Sequence, residues 1–198
     1  MKVPFKLFIG AYHKQACDMR RGVKMRIETN DLIIRNFELR DENDLCEYML
    51  QRVNAEFETY PEFTSQKAKE EVEFRAQSDE FYAIELKEEH KVIGNIYLGK
   101  RSFNTRELGY VLNNNYQHRG YGSDAGKAAI EYMFGQGLHR IYAECAPQNI
   151  PSWKLMEKIG MKREAHFRKN VSFHQDKNGA PIYWDTYVYA MLNPREEV

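Results

Sequence analysis

Between Asn114 and Ser123 the chain reads Asn-Asn-Tyr-Gln-His-Arg-Gly-Tyr-Gly-Ser. An apolar run, Leu108-Gly109-Tyr110-Val111-Leu112, precedes it, and a helical pattern from Asp124 to Phe134 follows. A strand that turns through glycines into a helix leaves the first helical amides without internal partners and places the positive end of the helix dipole beside them. Gly120 and Gly122 carry no Cβ, so a ligand can come close to the backbone. The combination suits an anion such as phosphate or pyrophosphate, and Arg119 can add a full charge. The same residues also describe an ordinary strand-to-helix connection. No Gly-Lys-Ser/Thr follows the glycines, and the three glycines of a dinucleotide fingerprint are missing.

Other chemistry-bearing side chains are scattered. His118 lies in the glycine turn, where its backbone matters more than its ring. His139 precedes a strand and reads as structural, while His166 and His174 fall late in the chain. No His-x-x-x-His pair and no Cys-x-x-Cys occur, so no metal is expected.

The elements that must position these residues follow from periodicity. Leu32–Phe37 reads as a first strand, and Asp41 as the cap of a helix to about Arg52. An acidic aromatic loop, 56–63, leads to a second helix capped by Ser65 and running to about Gln77. Phe81–Leu86 and Val92–Leu98 read as a hairpin around a charged turn. Glu107–Leu112 is the strand that enters the glycine turn. In the helix after it, Ala125, Ala129 and Met133 recur at four-residue spacing, and Gly135 and Gly137 end it. Arg140–Cys145 is a further strand. Asn149 can cap a short helix with Pro151 near its start. Two strands close the chain, around 163–173 and 184–192, joined by an Asp176-Lys177-Asn178-Gly179 turn. The order β-αα-βββ-α-β-α-ββ implies an α/β (α+β) domain on a mixed sheet of about seven strands with about four helices.

Composition narrows the class. In 198 residues, 42% are hydrophobic and 13% aromatic, enough for one globular core. Lys plus Arg and Asp plus Glu each number 29, so no overall field favours nucleic acid or a membrane surface. Three dispersed cysteines fit a reducing cytoplasm. No apolar run approaches the ~18 residues of a membrane span. Residues 1–26 hold seven Lys or Arg against Asp18 alone, and residues 1–30 read as a basic, weakly ordered extension. Met25 is a candidate natural start, because regular patterning begins just after it. The domain then runs over 31–193, with a short tail at 194–198.

Four features in order resemble the GCN5-related N-acetyltransferases (GNAT). They are Leu32-Ile33-Ile34-Arg35 with Asp41-x-x-Asp44-Leu45; Glu107-Leu108-Gly109-Tyr110-Val111-Leu112; Gln117-His118-Arg119-Gly120-Tyr121-Gly122; and Asn149-x-x-Ser152 ending in Glu157-Lys158-Ile159-Gly160-Met161. The likeness is greatest to the ribosomal-protein N-terminal acetyltransferases of the RimJ/RimL type. The resemblance implies acetyl-CoA as co-substrate, no metal, and direct attack of an amine on the thioester in a ternary complex. It implies a sheet splayed near its centre, assisted by a bulge at Gly109. Amides of Gln117, His118, Arg119, Gly120, Tyr121, Gly122 and Ser123 would hold the pyrophosphate. Backbone at Val111 and Leu112, with Asn149, would meet the pantetheine arm, and a strand amide there would receive charge on the carbonyl oxygen. Glu107 is then the candidate general base, directly or through water, against a plain reading as a solvated edge carboxylate. The family's usual tyrosine falls at Met156, which cannot donate a proton, so Ser152 is the candidate acid, against a plain reading as a first-turn hydroxyl. Tyr110 and Tyr121 read as packing or wall residues. The favoured acceptor is the α-amine of a protein N-terminus, which the acidic loop Glu56, Glu58 and Glu62 could attract. A small amine (polyamine, amino sugar or antibiotic) is the alternative, and a non-enzymatic acyl-CoA-binding module the third. A monomer and a homodimer are both compatible.

Overall fold

Eight strands join into one sheet in the order β1-β2-β3-β4-β5-β6-β8-β7. The computed structural model describes residues 25–53, Phe57 and residues 63–195. The basic segment 1–24, the acidic residues Glu56, Glu58 and Glu62 and the last three residues lie outside that set. The strands are β1 (Arg26–Glu28), β2 (Leu32–Asn36), β3 (Phe81–Leu86), β4 (Lys91–Arg101), β5 (Thr105–Leu112), β6 (Arg140–Cys145), β7 (Lys162–Gln175) and β8 (Pro181–Leu192). The helices are α1 (Glu42–Leu50), α2 (Ser65–Gln77), α3 (Tyr121–Gly135) and α4 (Ile150–Lys158). The sequence pointed to about seven strands. The eighth, β1, falls in the segment read as a weakly ordered extension and pairs with β2 from Arg26↔Arg35 to Glu28↔Ile33. Three residues are too short for an alternation to be visible.

All neighbouring strands are antiparallel except β5 and β6. That parallel pair is joined through α3, the crossover a parallel connection requires. Its pairing covers only Thr105↔Arg140, Arg106↔Ile141 and Glu107↔Tyr142. Beyond Glu107 and Tyr142 the two strands part. β5 stays with β4 to Gly94↔Leu112, and β6 stays with β8 to Cys145↔Tyr187. The sheet is therefore splayed at its centre.

The bulge expected at Gly109 is absent. β5 keeps an unbroken register on β4 through Tyr97↔Gly109. The splay arises on the other edge of β5, where the β6 ladder stops. Register shifts fall on other strand pairs, at Ile84/Glu85 between β3 and β4 and along β7 and β8.

Two apolar layers hold the sheet. On one face α3 and α4 bury Ala125, Ala129, Met133 and Met156 against Ile96, Leu98, Leu108 and Ile141. On the other, α1 and α2 bury Leu45, Tyr48, Ala68 and Val72 against Phe81, Ala83 and Val92. No helix among the described residues is long and apolar enough to cross a membrane.

Candidate active site

Strand parity decides which side chain works on which face. Successive side chains alternate, and directly opposed residues of neighbouring strands share a face. On β5, Glu107, Gly109 and Val111 therefore face α1 and α2, while Leu108, Tyr110 and Leu112 face α3 and α4. The parallel register Glu107↔Tyr142 puts Tyr142 and Glu144 on the α1–α2 face and Ala143 and Cys145 on the other. A cavity of about 270 Å³ draws on both sets, being lined by Arg101, Glu107 and Glu144 as well as Tyr110, Cys145 and Ser152. It runs through the sheet at the point where β5 and β6 part.

The α1–α2 half is acidic and aromatic. Phe57, Phe81, Tyr97 and Phe173 supply apolar wall. Glu107 forms an ion pair with Arg101 and accepts a hydrogen bond from Tyr142 Oη at 3.3 Å. Tyr142 Oη in turn accepts from Arg101 Nε at 3.2 Å. Burial works against the Arg101 charge, but Glu107 and Tyr142 more than offset it and hold the guanidinium ionised. Glu144 differs. Partial desolvation raises its pKa above the ordinary carboxylate value although the residue keeps solvent exposure, the Glu107 charge raises it further, and Arg101 opposes both.

The α3–α4 half carries hydroxyls. Tyr110 Oη donates to the Ser152 carbonyl at 2.8 Å and lies 2.9 Å from Ser152 Oγ. A phenol has one proton; given to the carbonyl, it leaves the phenol oxygen to accept from the Ser152 hydroxyl. Burial holds the phenol far above its usual pKa, so it stays protonated. Burial also pushes the Cys145 thiol up to about 11. Asn149 caps α4, its side-chain oxygen accepting from Ser152 N at 3.4 Å. Its Nδ2–H groups remain to donate to a ligand. Met156, buried and apolar, lines the same half.

Val111 lines the cavity with Glu107, Asn149 and Ser152, but Leu112 and the glycine turn do not. That turn lies past the end of β5, as a short 3-10 turn, Asn114–Tyr116, running into α3. Gly120 caps α3 with φ +90, a conformation glycine adopts without strain. A Cβ there would meet nothing within 4 Å. The first α-turn bond is Asp124 N–H to the Gly120 carbonyl at 3.1 Å, so the amides before it stand outside the helical ladder. Ser123 Oγ donates to the same carbonyl at 2.8 Å. His118 also adopts a left-handed φ of 61, and the Arg119 guanidinium lies over the Tyr116 ring. Gln117 Nε2 donates to Asn114 Oδ1 at 3.0 Å.

Gly122 works otherwise than the sequence suggested. A Cβ there would come within 2.9 Å of Leu112 Cδ1 and of Leu155 Cδ1. Its missing side chain lets α3 sit close on β5 and α4; only Gly120 fronts open space. The turn fits the donor: amides outside the ladder for a pyrophosphate, and beside them a strand edge opened by the β5–β6 splay for an extended arm.

Glu144 and the Tyr110–Ser152 pair escaped the sequence reading. Glu144 had a faint signal, a carboxylate two residues from Tyr142 in a short strand. Its facing depends on the parallel β5–β6 register, which no local pattern encodes.

Comparison with known proteins agrees with this architecture. The Acetyltransferase (GNAT) domain model matches residues 31–162. The chain is 37% identical over 174 residues to the uncharacterized N-acetyltransferase YnaD of Bacillus subtilis, covering 85% of this chain and 97% of that protein. It is 30% identical over 159 residues to the [ribosomal protein uS5]-alanine N-acetyltransferase of Escherichia coli, covering 72% and 81%. The crystal structure of a GNAT-family acetyltransferase from Bacillus anthracis superposes with a TM-score of 0.77 at 34% identity, covering 85% of this chain and 99% of that one. Matched by the domain model and by relatives along nearly their whole length, the chain belongs to the GNAT family of acetyltransferases and is an N-acetyltransferase.

Proposed function

We propose that this enzyme transfers acetyl from acetyl-CoA to the α-amine of a protein N-terminus, of the kind its uS5-alanine-acetylating relative modifies. The observation that carries the reading is the cavity through the splayed sheet, with carboxylates on one face and hydroxyls on the other. Acetyl-CoA supplies an activated thioester carbonyl when bound. The Gln117 amide is spent on the Asn114 carbonyl at 3.4 Å; the amides from His118 to Ser123 hold its pyrophosphate at the positive end of α3. The free edge of β5 at Val111 and Leu112, with Asn149 Nδ2, orients the pantetheine arm, and a strand amide there receives charge developing on the carbonyl oxygen.

The two halves then divide the proton work. Amine arrives from the α1–α2 side, where Glu107 and Glu144 each offer a proton acceptor. The sulfur leaves on the α3–α4 side, where the Ser152 hydroxyl, held by Tyr110, can give it a proton. Separate faces keep acid and base from neutralising each other. The aromatic wall around an acidic end suits a single α-ammonium better than a long polycation.

An acceptor screen tests this directly. The protein is incubated with labelled acetyl-CoA and ribosomal extract, and in parallel with polyamines, amino sugars and aminoglycosides. Label on the N-terminal peptide of a ribosomal protein is expected. Label confined to a small amine would replace the N-terminal reading.

A further inference from the structure

The turn that offers its amides to the pyrophosphate is held from outside. Asn113, where β5 ends and the turn begins, is fully buried. Its amide donates to the Ile93 carbonyl at 2.8 Å, and its carbonyl accepts from Tyr116 N at 2.9 Å. Its side chain is bound by α1. Asn113 Nδ2 donates to Glu47 Oε1 at 2.7 Å. Asn113 Oδ1 accepts from Gln51 Nε2 at 3.1 Å and from Asn115 N at 3.1 Å. Glu47 and Gln51, four residues apart, share one face at the end of α1. Gln51 Oε1 also accepts from Asn114 N at 2.8 Å, an amide beyond the last β5–β4 pair. Asn114 in turn carries Gln117, its carbonyl accepting from Gln117 N at 3.4 Å and its Oδ1 from Gln117 Nε2 at 3.0 Å. A chain of hydrogen bonds therefore runs from α1 to the residue just before the amides of 118–123.

We propose that Glu47 and Gln51 are positioning residues for the donor: by gripping Asn113 and Asn114 they fix the turn so that its later amides converge on the pyrophosphate. The proposal rests on the reading that acetyl-CoA binds at this turn. It makes α1, which packs on the acceptor face of the sheet, part of the donor site as well.

The turn needs such support. Between β5 and α3 it has only a three-residue 3-10 turn and two left-handed residues, His118 and Gly120. A segment with so few bonds of its own would have to be ordered by the ligand, at a cost to affinity; ordering it beforehand removes that cost. Glu47 is itself fixed for the task. Its other oxygen accepts from Lys91 Nζ at 2.7 Å. The bonds from Lys91 and then from Asn113 hold its pKa below the ordinary carboxylate value, so Asn113 Nδ2 meets a charged acceptor, the stronger kind.

Calorimetry with CoA on the full-length protein tests this, beside displacement of CoA by pantetheine, which has the arm but no pyrophosphate. Wild type should bind CoA much more tightly than pantetheine. Gln51→Ala should weaken CoA about five- to tenfold and leave pantetheine unchanged. Asn113→Asp, which removes the Nδ2 donor and sets a carboxylate against Glu47, should do the same. Glu47→Ala should match them. Glu47→Gln keeps an oxygen for Asn113 and should stay within about twofold of wild type, because the half-exposed Lys91 pair that it loses is worth little. Asp44→Ala is the control for α1 itself. Asp44 holds the helix to β4 by accepting from Val92 N at 2.8 Å and makes no bond to the turn, so its loss should lower the melting temperature and spare CoA affinity. Unchanged CoA affinity in Gln51→Ala and Asn113→Asp, or an equal loss in Asp44→Ala, overturns the proposal. Equal binding of CoA and pantetheine by wild type would refute the donor reading beneath it, and the proposal with it.

Discussion

The Ser152 hydroxyl can act as an acid only if something holds it, and Tyr110 Oη does so from 2.9 Å while bonding the Ser152 carbonyl at 2.8 Å. The sequence offered Ser152 because the family's tyrosine position holds Met156, and read Tyr110 as wall. Spacing could not join the two, since 42 residues separate them and they meet only because β5 and α4 flank the same gap. Ser152→Ala should cut kcat by about 10²-fold while acetyl-CoA binding stays near wild type. Tyr110→Phe should cost about 0.5–1.5 kcal/mol of stability and slow kcat a few-fold through a misdirected hydroxyl. Stopped-flow kinetics and thermal melts separate these outcomes. Wild-type kcat in Ser152→Ala would assign the thiolate's proton to solvent. Other single residues were misread because a competing partner won. Asp41, read as a helix cap, makes no cap bond to α1. Its carboxylate accepts instead from the Arg35 guanidinium at 2.8 and 2.9 Å, and Glu85 takes Arg35 Nε at 2.6 Å. Thr64, not Ser65, caps α2, accepting from Lys67 N at 3.3 Å.

Element by element, the local patterns translated well. All four helices and seven of the strands lie where periodicity placed them, because each has an apolar face of its own to bury. The Asp176–Gly179 turn between β7 and β8 closes as expected, with Gly179 N–H on the Asp176 carbonyl at 3.0 Å. What the patterns could not show is how one element seats on another, and α3 is the example. Its start is pressed against Leu112 and Leu155 at Gly122. Gly122→Val should therefore overpack that contact and cost about 1–3 kcal/mol, a melting drop of roughly 3–10 °C. Acetyl-CoA affinity should fall with it, because the displaced helix start carries the anion-binding amides. Calorimetry and a thermal melt on the same sample check both. Weaker binding with an unchanged melting temperature would return Gly122 to the role of leaving room for ligand.

On the scale of the molecule, the site exists because two neighbouring strands belong to different ladders. β5 follows β4 and β6 follows β8, and between them three paired positions give way to a cavity through the sheet. The family resemblance anticipated this splay from four short motifs, but its cause is a pairing choice between distant segments, which no single stretch encodes. The division of chemistry between the faces follows from the same register. The central claim is that the donor lies in this gap, and a crystal structure of the enzyme with CoA tests it most directly. The account predicts the pyrophosphate on the amides from His118 to Ser123, the pantetheine arm along β5 at Val111 and Leu112, and the sulfur within hydrogen-bond reach of Ser152 Oγ. CoA bound with its sulfur away from the β5–β6 gap would contradict it.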